Sequence, residues 1–176
     1  RVVSSNPYTG EPALYVVAEA LVGAHFNPKK QEFTVLEGTL KGTDLLGISY
    51  EQLRVISGRV YAYLKARNIG KEDFVLVKLP RGVQPVITMI GIWRAGAAVI
   101  IVEDTLAPER IDYIYKDCNC KLAITSEVWE EINHCKPLDG YEETDPHDAA
   151  YAVYTSGTTG NPKGVLHEYG NLDRLV

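Results

Sequence analysis

With 176 residues, 45% of them hydrophobic and 23% charged, the chain has the length and composition of one soluble globular domain with a buried core. Its formal net charge of −5 and its lack of a Lys/Arg cluster argue against nucleic acid as a partner. No apolar run approaches the ~20 residues that a membrane span needs, so we expect no membrane partner either.

The cysteines and the start of the chain indicate a cytoplasmic protein. Cys118, Cys120 and Cys135 cannot all pair, and their spacing with His134 is not that of a usual zinc motif, so we interpret them as reduced thiols and predict no metal site. The chain opens at Arg1 without a signal-peptide pattern, which favours the cytoplasm. Because it stops shortly after a glycine-rich segment, we expect it to be part of a longer protein.

The N-terminal residues show few recognisable patterns. We predict that residues 1–32 are an irregular lead-in, in which the apolar run 14–24 forms a short helix ended by the Asn-Pro sequence that follows. Residues 33–36 and 45–48 are short apolar runs with glycines between them, which predicts a small N-terminal hairpin. The main α/β unit is predicted to cover residues 33–176.

From residue 49 onward, helical and strand patterns alternate. Ser49 and Gln52 form a capping box at the start of a helix, which the Asn-Ile-Gly sequence at 68–70 ends. Further helices are predicted from Val83, with Gly91 allowing close packing, from Pro108 and from a cap at Ser126, and strands are predicted near 74–78, 98–102, 121–125 and 151–155. This alternation predicts an α/β fold, a layered and largely parallel sheet flanked by helices.

The most informative segment follows the last predicted strand, where a loop of hydroxyl residues and glycines ends with a lysine. Glycines let a ligand approach the backbone, hydroxyls donate hydrogen bonds and lysine adds positive charge, which suits phosphate oxygens because they only accept hydrogen bonds. Ligands of parallel sheets bind at the carboxyl ends of strands, where this loop lies. The candidate phosphate-binding residues are Thr155, Ser156, Gly157, Thr158, Thr159, Gly160, Lys163 and Gly164, with Lys163 also the candidate catalytic residue.

Two other interpretations compete for this segment. The P-loop pattern needs four residues between its glycines and a Ser or Thr after its lysine, whereas only two residues separate Gly157 from Gly160 and Gly164 follows Lys163. A surface hairpin rich in Thr and Gly is the second alternative. The Pro-Lys-Gly sequence at a fixed distance from the glycines disfavours it.

The stretch 154–165, Tyr-Thr-Ser-Gly-Thr-Thr-Gly-Asn-Pro-Lys-Gly-Val, resembles the phosphate-binding signature of the adenylate-forming (AMP-binding) enzymes. That superfamily includes acyl-CoA synthetases, luciferases and the adenylation domains of nonribosomal peptide synthetases. Residues 48–53, 93–98 and 107–111 resemble further stretches of the peptide-synthetase domains. The resemblance favours the N-terminal part of such a domain, truncated after the phosphate-binding loop, and implies the acetyl-CoA synthetase-like fold.

Some positions depart from that branch. Ile101, Glu103 and Asp104 stand where it usually has Pro, Asp and Pro, and Tyr169 stands where His is common. Two alternatives therefore stay open: an acyl- or aryl-CoA ligase, and a non-catalytic nucleotide-binding or interaction module with the same fold.

The resemblance implies an ATP-dependent ligase. A small-molecule carboxylate, with an amino acid favoured, would attack the α-phosphate of ATP to give acyl-AMP and pyrophosphate, and a phosphopantetheine or CoA thiol would then accept the acyl group. The loop would hold the β- and γ-phosphates with Mg²⁺, and Lys163 would offset charge on the departing pyrophosphate. The family's adenine pocket, ribose-binding Asp and C-terminal Lys lie further downstream. Downstream domains, including a carrier domain, are therefore expected partners, and this chain alone is expected to be inactive.

The remaining polar residues are interpreted as structural. Asp117 is assigned to a solvated helix face, Arg94 to the end of a helix without any ligand, and His147 to the surface. Tyr154 is expected to pack into the core on one side, with a place near the nucleotide as the alternative.

Overall fold

A computed structural model describes residues 24–27, 32–35, 50–155 and 162–172 of the chain. The elements are β1 Ala24–Asn27, β2 Glu32–Val35, α1 Tyr50–Lys65, β3 Phe74–Val77, α2 Val83–Arg94, β4 Ala98–Ile101, α3 Pro108–Asp117, β5 Leu122–Ile124, α4 Ser126–Asn133, β6 Ala149–Thr155, β7 Lys163–Glu168 and α5 Tyr169–Leu172. Helices and strands alternate from α1 to β6, which confirms the predicted α/β class.

The main sheet has five strands in the order β5-β3-β4-β6-β7. The first four are parallel, with Val75 opposite both Val99 and Leu122, and Val99 opposite Tyr151. The four strands predicted to share a largely parallel sheet therefore do so. β7 runs antiparallel to β6.

Helices cover both faces of this sheet, so the domain has three layers. On one face α1, α2 and α4 bury the alternate side chains of the strands, with Val75, Val77 and Val99 at the centre of the larger core cluster. On the other face Ile114 of α3 packs against Leu76 and Ile100 in a smaller cluster. Strands that are buried on both faces explain the continuous apolar runs in the sequence.

The close contact between α1 and α2 depends on Gly91. A Cβ atom at this position would lie 2.4 Å from Cβ of Val60 and 2.8 Å from the carbonyl oxygen of Ser57, so only glycine lets the two helices approach this closely. This confirms the predicted packing role of Gly91.

Most helix boundaries follow the predicted signals. Asn68 has φ 55° and closes the turn after α1, and Pro108 occupies the first position of α3. The predicted cap at Ser126 is displaced by one residue, because Thr125 holds the N-cap position with extended backbone. Among the described residues, none of the helices is both long and apolar enough to cross a membrane.

The N-terminal hairpin forms with a different partner from the predicted one. β2 pairs with β1 in antiparallel register, from Ala24 opposite Val35 to Asn27 opposite Glu32. Ala24 is thus in a strand, which corrects the end of the helix predicted over 14–24, since a short apolar run fits either structure until pairing decides. Residues 14–23 and 45–48 lie outside the described part, and the domain boundary at 32/33, which the hairpin spans, stays a prediction.

β7 is the one strand of the main sheet that the sequence analysis did not assign. Its residues include only two consecutive apolar side chains, Val165 and Leu166, after a Pro-Lys-Gly sequence that signals a turn. Residues 163–168 form a strand because they pair with the backbone of β6. This pairing outweighs their low intrinsic preference for strand structure.

Arg94 holds the polar connection between α4 and β6 in place. Its guanidinium donates to the carbonyl oxygens of Leu138 at 2.7 Å, Gly140 at 2.9 Å and Arg54 at 2.9 Å, and to Oγ of Ser57 at 3.0 Å. The residue therefore ends α2, as predicted, and also ties α1, α2 and the connection together.

Replacing Arg94 should destabilise the domain measurably. We expect Arg94→Ala to lower the free energy of unfolding by about 2 kcal/mol, because it removes the charged donor shared by three carbonyl groups and the buried Ser57 hydroxyl. Arg94→Lys should recover only part of the loss, since an ammonium group is a single point of donation. Urea unfolding at constant slope gives the measurement.

Arg110, an exposed residue of α3, provides the matched control. Arg110→Ala removes the same charge and should change the free energy of unfolding by less than about 0.5 kcal/mol. Equal midpoints for the two alanine variants would show that the Arg94 contacts do not stabilise the fold.

Candidate functional site

The candidate site lies at the edge of the sheet where the four parallel strands end. Parallel strands have their carboxyl ends on one edge, and in open α/β sheets this edge is where ligands bind. Thr155 is the last residue of β6 and Lys163 is the first residue of β7, and the two are directly opposite in the antiparallel register. They therefore mark the two points at which the predicted phosphate loop leaves the sheet and returns to it.

Three of the predicted phosphate-binding residues fall in the described part of the chain. Thr155, Lys163 and Gly164 lie together at the end of the β6–β7 pair, and all three are exposed. Pro162 is buried just before β7. The other predicted residues lie outside the described residues: Ser156, Gly157, Thr158, Thr159 and Gly160.

Lys163 is available to an anion from solvent. Within the described ranges, no carboxylate forms an ion pair with its ammonium group, although β7 also carries Glu168. The hydroxyl of Thr155 is likewise exposed on the opposite strand. One cation and one hydroxyl donor thus stand side by side at the mouth of the loop, as phosphate oxygens require.

The ring of Tyr154 leaves no room for a side chain at position 164. A Cβ atom there would lie 2.9 Å from Cζ and 3.1 Å from Oη of Tyr154, which is its cross-strand partner. Its backbone is not in the left-handed region, so conformational freedom is not the reason for glycine at this position. The sequence analysis assigned Gly164 to the ligand, which stays a prediction, and the structure adds a packing reason.

Tyr154 is held by two residues at the end of α3. Its hydroxyl donates to Oδ2 of Asp117 at 2.6 Å and lies 2.8 Å from Sγ of Cys118. Burial, and then the hydrogen bond to Asp117, raise the pKa of the Tyr154 phenol. Burial also raises the pKa of the Cys118 thiol. Both groups therefore remain protonated at neutral pH.

Asp117 is exposed, as its assignment to a solvated helix face predicted, and it also contacts the sheet through Tyr154. Its carboxylate accepts a hydrogen bond from the hydroxyl of Tyr154, which lies 37 residues further along the chain. The contact was not visible from the sequence because it depends on how α3 lies across the sheet. The signal that the sequence does carry is the position of Tyr154 at the end of a strand that leads into the loop.

The neighbouring strand ends add an ion pair to this edge. Nη2 of Arg81, which follows β3, donates to Oε1 of Glu103, which follows β4, at 2.7 Å. Both side chains are mostly exposed, so the pair contributes little to stability. In the described part of the chain, no group of three or more His, Cys, Asp or Glu side chains converges as metal ligands. An anion site at this edge of the sheet stays a prediction.

The far end of the β6–β7 pair is fixed by aromatic and polar contacts. The rings of Tyr151 and His167 stack with centroids 4.5 Å apart. The hydroxyl of Tyr169 lies 3.2 Å from the carbonyl oxygen of Ala97, and burial raises its pKa above the ordinary range. Tyr169, which stands where the resembled branch commonly has His, thus ties α5 to the start of β4.

Comparisons with known proteins agree with this geometry. A sequence model described as "AMP-binding enzyme" matches residues 29–141 and 130–176. A probable non-canonical nonribosomal peptide synthetase, CymA, of Salinispora arenicola is 38% identical over 135 residues, which are 73% of this chain and 2% of that protein. Surfactin synthase subunit 2 of Bacillus subtilis is 27% identical over 179 residues, covering 91% of this chain and 5% of that protein.

Solved structures show the same fold. The N-terminal subdomain of Klebsiella oxytoca NpsA, in complex with 3-hydroxyanthranilyl-AMSN, superimposes with a TM-score of 0.65 at 25% identity, over 73% of this chain and 36% of that one. A Mycobacterium tuberculosis fatty acyl CoA synthetase gives a TM-score of 0.63 at 20% identity, over 72% of this chain and 30% of that one. The chain therefore spans only a small part of the curated relatives and about a third of these solved chains.

The geometry at the end of β7 makes a prediction about His147. Nδ1 of His147 lies 3.0 Å from Oε2 of Glu168, and this hydrogen bond, with the nearby Glu168 and Asp145 charges, raises the pKa of His147. Any stabilisation from the pair is present below the ordinary pKa of His and is lost as the pH rises through the raised pKa. A ¹H–¹³C NMR titration of the His147 ring in wild type and Glu168→Gln should show the pKa falling toward its ordinary value in the variant.

His134, exposed and at the end of α4, serves as the internal reference in the same spectra. Its ring signals should be the same in wild type and Glu168→Gln at each pH, because Glu168 makes no contact with it. A His147 pKa that is the same in both proteins would mean that the pair does not form in solution.

Proposed function

The chain belongs to the AMP-binding enzyme family, and on that premise we propose that it is the phosphate-binding portion of an ATP-dependent adenylate-forming ligase. In the full-length protein, a carboxylate attacks the α-phosphate of ATP, giving an acyl-adenylate and pyrophosphate. An amino acid is the proposed carboxylate, and a phosphopantetheine thiol on a carrier domain of the same polypeptide is the proposed acceptor. The peptide-synthetase relatives support both choices.

One observation carries the proposal: Thr155 and Lys163 stand opposite each other at the carboxyl edge of a parallel sheet. The seven residues between them, 156–162, include two glycines and three hydroxyl side chains and end with Pro162. The pairing of Thr155 with Lys163 holds one hydroxyl and one ammonium group side by side, where both can donate to one phosphate group. Such preorganised donors act on charge that develops during reaction.

The role that we assign to Lys163 is electrostatic. Attack of a carboxylate on a phosphate brings two anions together, and the leaving pyrophosphate gains charge as the bond breaks. The ammonium group of Lys163 reduces the repulsion between the two anions and stabilises the charge on the leaving pyrophosphate. Thr155 orients the phosphate through a hydrogen bond. Mg²⁺ is expected to arrive with the ATP phosphates, because it keeps several waters and usually binds through substrate phosphates and one or two carboxylates.

The location that we propose is the cytoplasm, where ATP is available and thiols stay reduced. All three cysteines are free, and burial raises the pKa of Cys120 to about 12, which makes that thiol unreactive. Residues 33–176 are proposed to belong to the N-terminal subdomain, with 1–32 as the segment that leads into it.

Carboxylate-dependent exchange of pyrophosphate into ATP tests the proposed function in the full-length protein. The panel should contain amino acids, aryl acids and fatty acids, with phosphopantetheinylated carrier domain and CoA compared as acceptors in a second assay. Exchange with one or a few amino acids and transfer to the carrier are the expected results. Exchange with fatty or aryl acids and transfer to CoA would show an acyl- or aryl-CoA ligase instead of an amino-acid-activating domain. No exchange at all would overturn the proposed activity.

Replacing Lys163 should slow the adenylation step more than it weakens carboxylate binding. We expect Lys163→Ala in the full-length protein to cost about 2–4 kcal/mol in the transition state, because the lost charge acts on phosphate groups during reaction. The measurement is kcat and KM for ATP and for the carboxylate in the exchange assay.

Lys121 is the matched control, since it is an exposed lysine just before β5, at the opposite edge of the sheet. Lys121→Ala should leave the exchange rate unchanged. Equal rates for the two lysine variants would show that Lys163 is only a surface charge.

The chain by itself should bind ATP weakly and should not turn it over. Thr155 and Lys163 offer exposed contacts, which are screened by solvent and salt and contribute little each. We therefore expect a dissociation constant for Mg-ATP in the range of about 1 mM, measured by calorimetry on the isolated chain. Submicromolar binding, or pyrophosphate release above background, would contradict this expectation.

A further inference from the structure

We propose that Tyr154 is a positioning residue for phosphate binding: packed between Gly164 and the Asp117/Cys118 end of α3, it fixes the strand ends that carry Thr155 and Lys163. The inference rests on the proposed function, because it concerns the same loop. Its basis is a chain of contacts from α3 through a ring to the backbone next to Lys163.

The first contact is between the ring of Tyr154 and the backbone of Gly164. The ring occupies the space in which any larger residue would place its Cβ, at 2.9 Å from Cζ. An aromatic ring over a cross-strand glycine covers a backbone that would otherwise be open to solvent. Because Gly164 directly follows Lys163, the ring position limits where the backbone of Lys163 can lie.

The second contact anchors the ring itself. The phenol has one proton, and it is donated to Asp117 at 2.6 Å. The 2.8 Å contact with Cys118 must therefore use the thiol proton, donated to the phenol oxygen. The ring is thus held by a donor and an acceptor from two consecutive residues, and these residues stand at the last turn and C-cap of α3.

The third step concerns which side chains the ring leaves for the ligand. Tyr154 packs on the α3 face of the sheet with Ala152, whereas Thr155 belongs to the opposite face because side chains alternate along a strand. The register gives Lys163, opposite Thr155, that same face. Tyr154 therefore lies on the face of the sheet opposite to Thr155 and Lys163. It influences them through the position of the strand backbone and makes no contact with phosphate.

Kinetics of the full-length protein separate positioning from general stability. We expect Tyr154→Leu to lower kcat/KM for ATP by about tenfold or more, because misplacement of binding groups by a fraction of an ångström slows reaction strongly. KM for the carboxylate should stay within about twofold, since that substrate does not bind to the loop. Tyr154→Phe keeps the ring over Gly164 but loses both hydrogen bonds, so its effect should be intermediate. Asp117→Ala removes only the acceptor and keeps the thiol contact, so it should lower kcat/KM for ATP by no more than Tyr154→Phe does.

A double-mutant cycle tests the contact with Gly164. Gly164→Ala should lower kcat/KM for ATP in the wild-type background, because the methyl group displaces the ring. In the Tyr154→Leu background Gly164→Ala should lower kcat/KM for ATP by a much smaller factor. Asp112→Ala, on the same helix and without a contact to Tyr154, is the control and should leave the kinetics unchanged.

Several results would overturn the inference. An active wild type with unchanged ATP kinetics in Tyr154→Leu would do so, as would an equal loss for ATP and carboxylate together with a lowered melting temperature. Equal costs of Gly164→Ala in both backgrounds would place the nucleotide, not the ring, against Gly164. If Tyr154→Leu does not fold, Tyr154→Phe and Asp117→Ala decide the question. A wild type without exchange activity overturns the proposed function, and the inference with it.

Discussion

The antiparallel register between β6 and β7 is the constraint on which the candidate site depends. One register places Thr155 opposite Lys163 and Tyr154 opposite Gly164 at the same time. A slip of one residue would move every side chain of β7 to the other face of the sheet, so the lysine and the glycine would both lose their partners. The packing of the Tyr154 ring on Gly164 and the pairing of Thr155 with Lys163 therefore both depend on the same register.

That register is in turn held by the rest of the sheet. β6 pairs with β4 at Val99 and Tyr151, and Nε1 of Trp93 donates to the carbonyl oxygen of Ala150 at 2.9 Å. These contacts fix the start of β6, at the end of the strand away from the loop. Thr155 and Lys163 are thereby held by a buried scaffold, which is the usual arrangement at the base of a binding loop.

The sequence was sufficient for the fold class because each local pattern agreed with the final structure. Short apolar strands, the Asn-Ile-Gly end of α1 and Pro108 at the start of α3 all carry their conformation in their own residue types. β7 and the pairing of β1 with β2 were not predictable in this way, because their strand structure comes from a partner. For the site, the residue types of the loop predicted a phosphate ligand, whereas the link from Asp117 to Tyr154 depends on the placement of a helix on a sheet. The residue types of a segment therefore indicate which ligand suits it, whereas contacts between a helix and a sheet depend on the three-dimensional fold.

β7 has a further consequence for work on this chain in isolation. In the described part of the structure it is the outermost strand of the main sheet, and its Val165 and Leu166 side chains are 48% and 53% exposed. An apolar edge strand offers unpaired backbone groups to any other strand that meets it. A second copy of the isolated chain would meet the same unpaired backbone groups at this edge. We therefore expect any association of the isolated chain through β7 to depend on protein concentration, which a dilution series at the concentrations used for calorimetry or NMR would reveal.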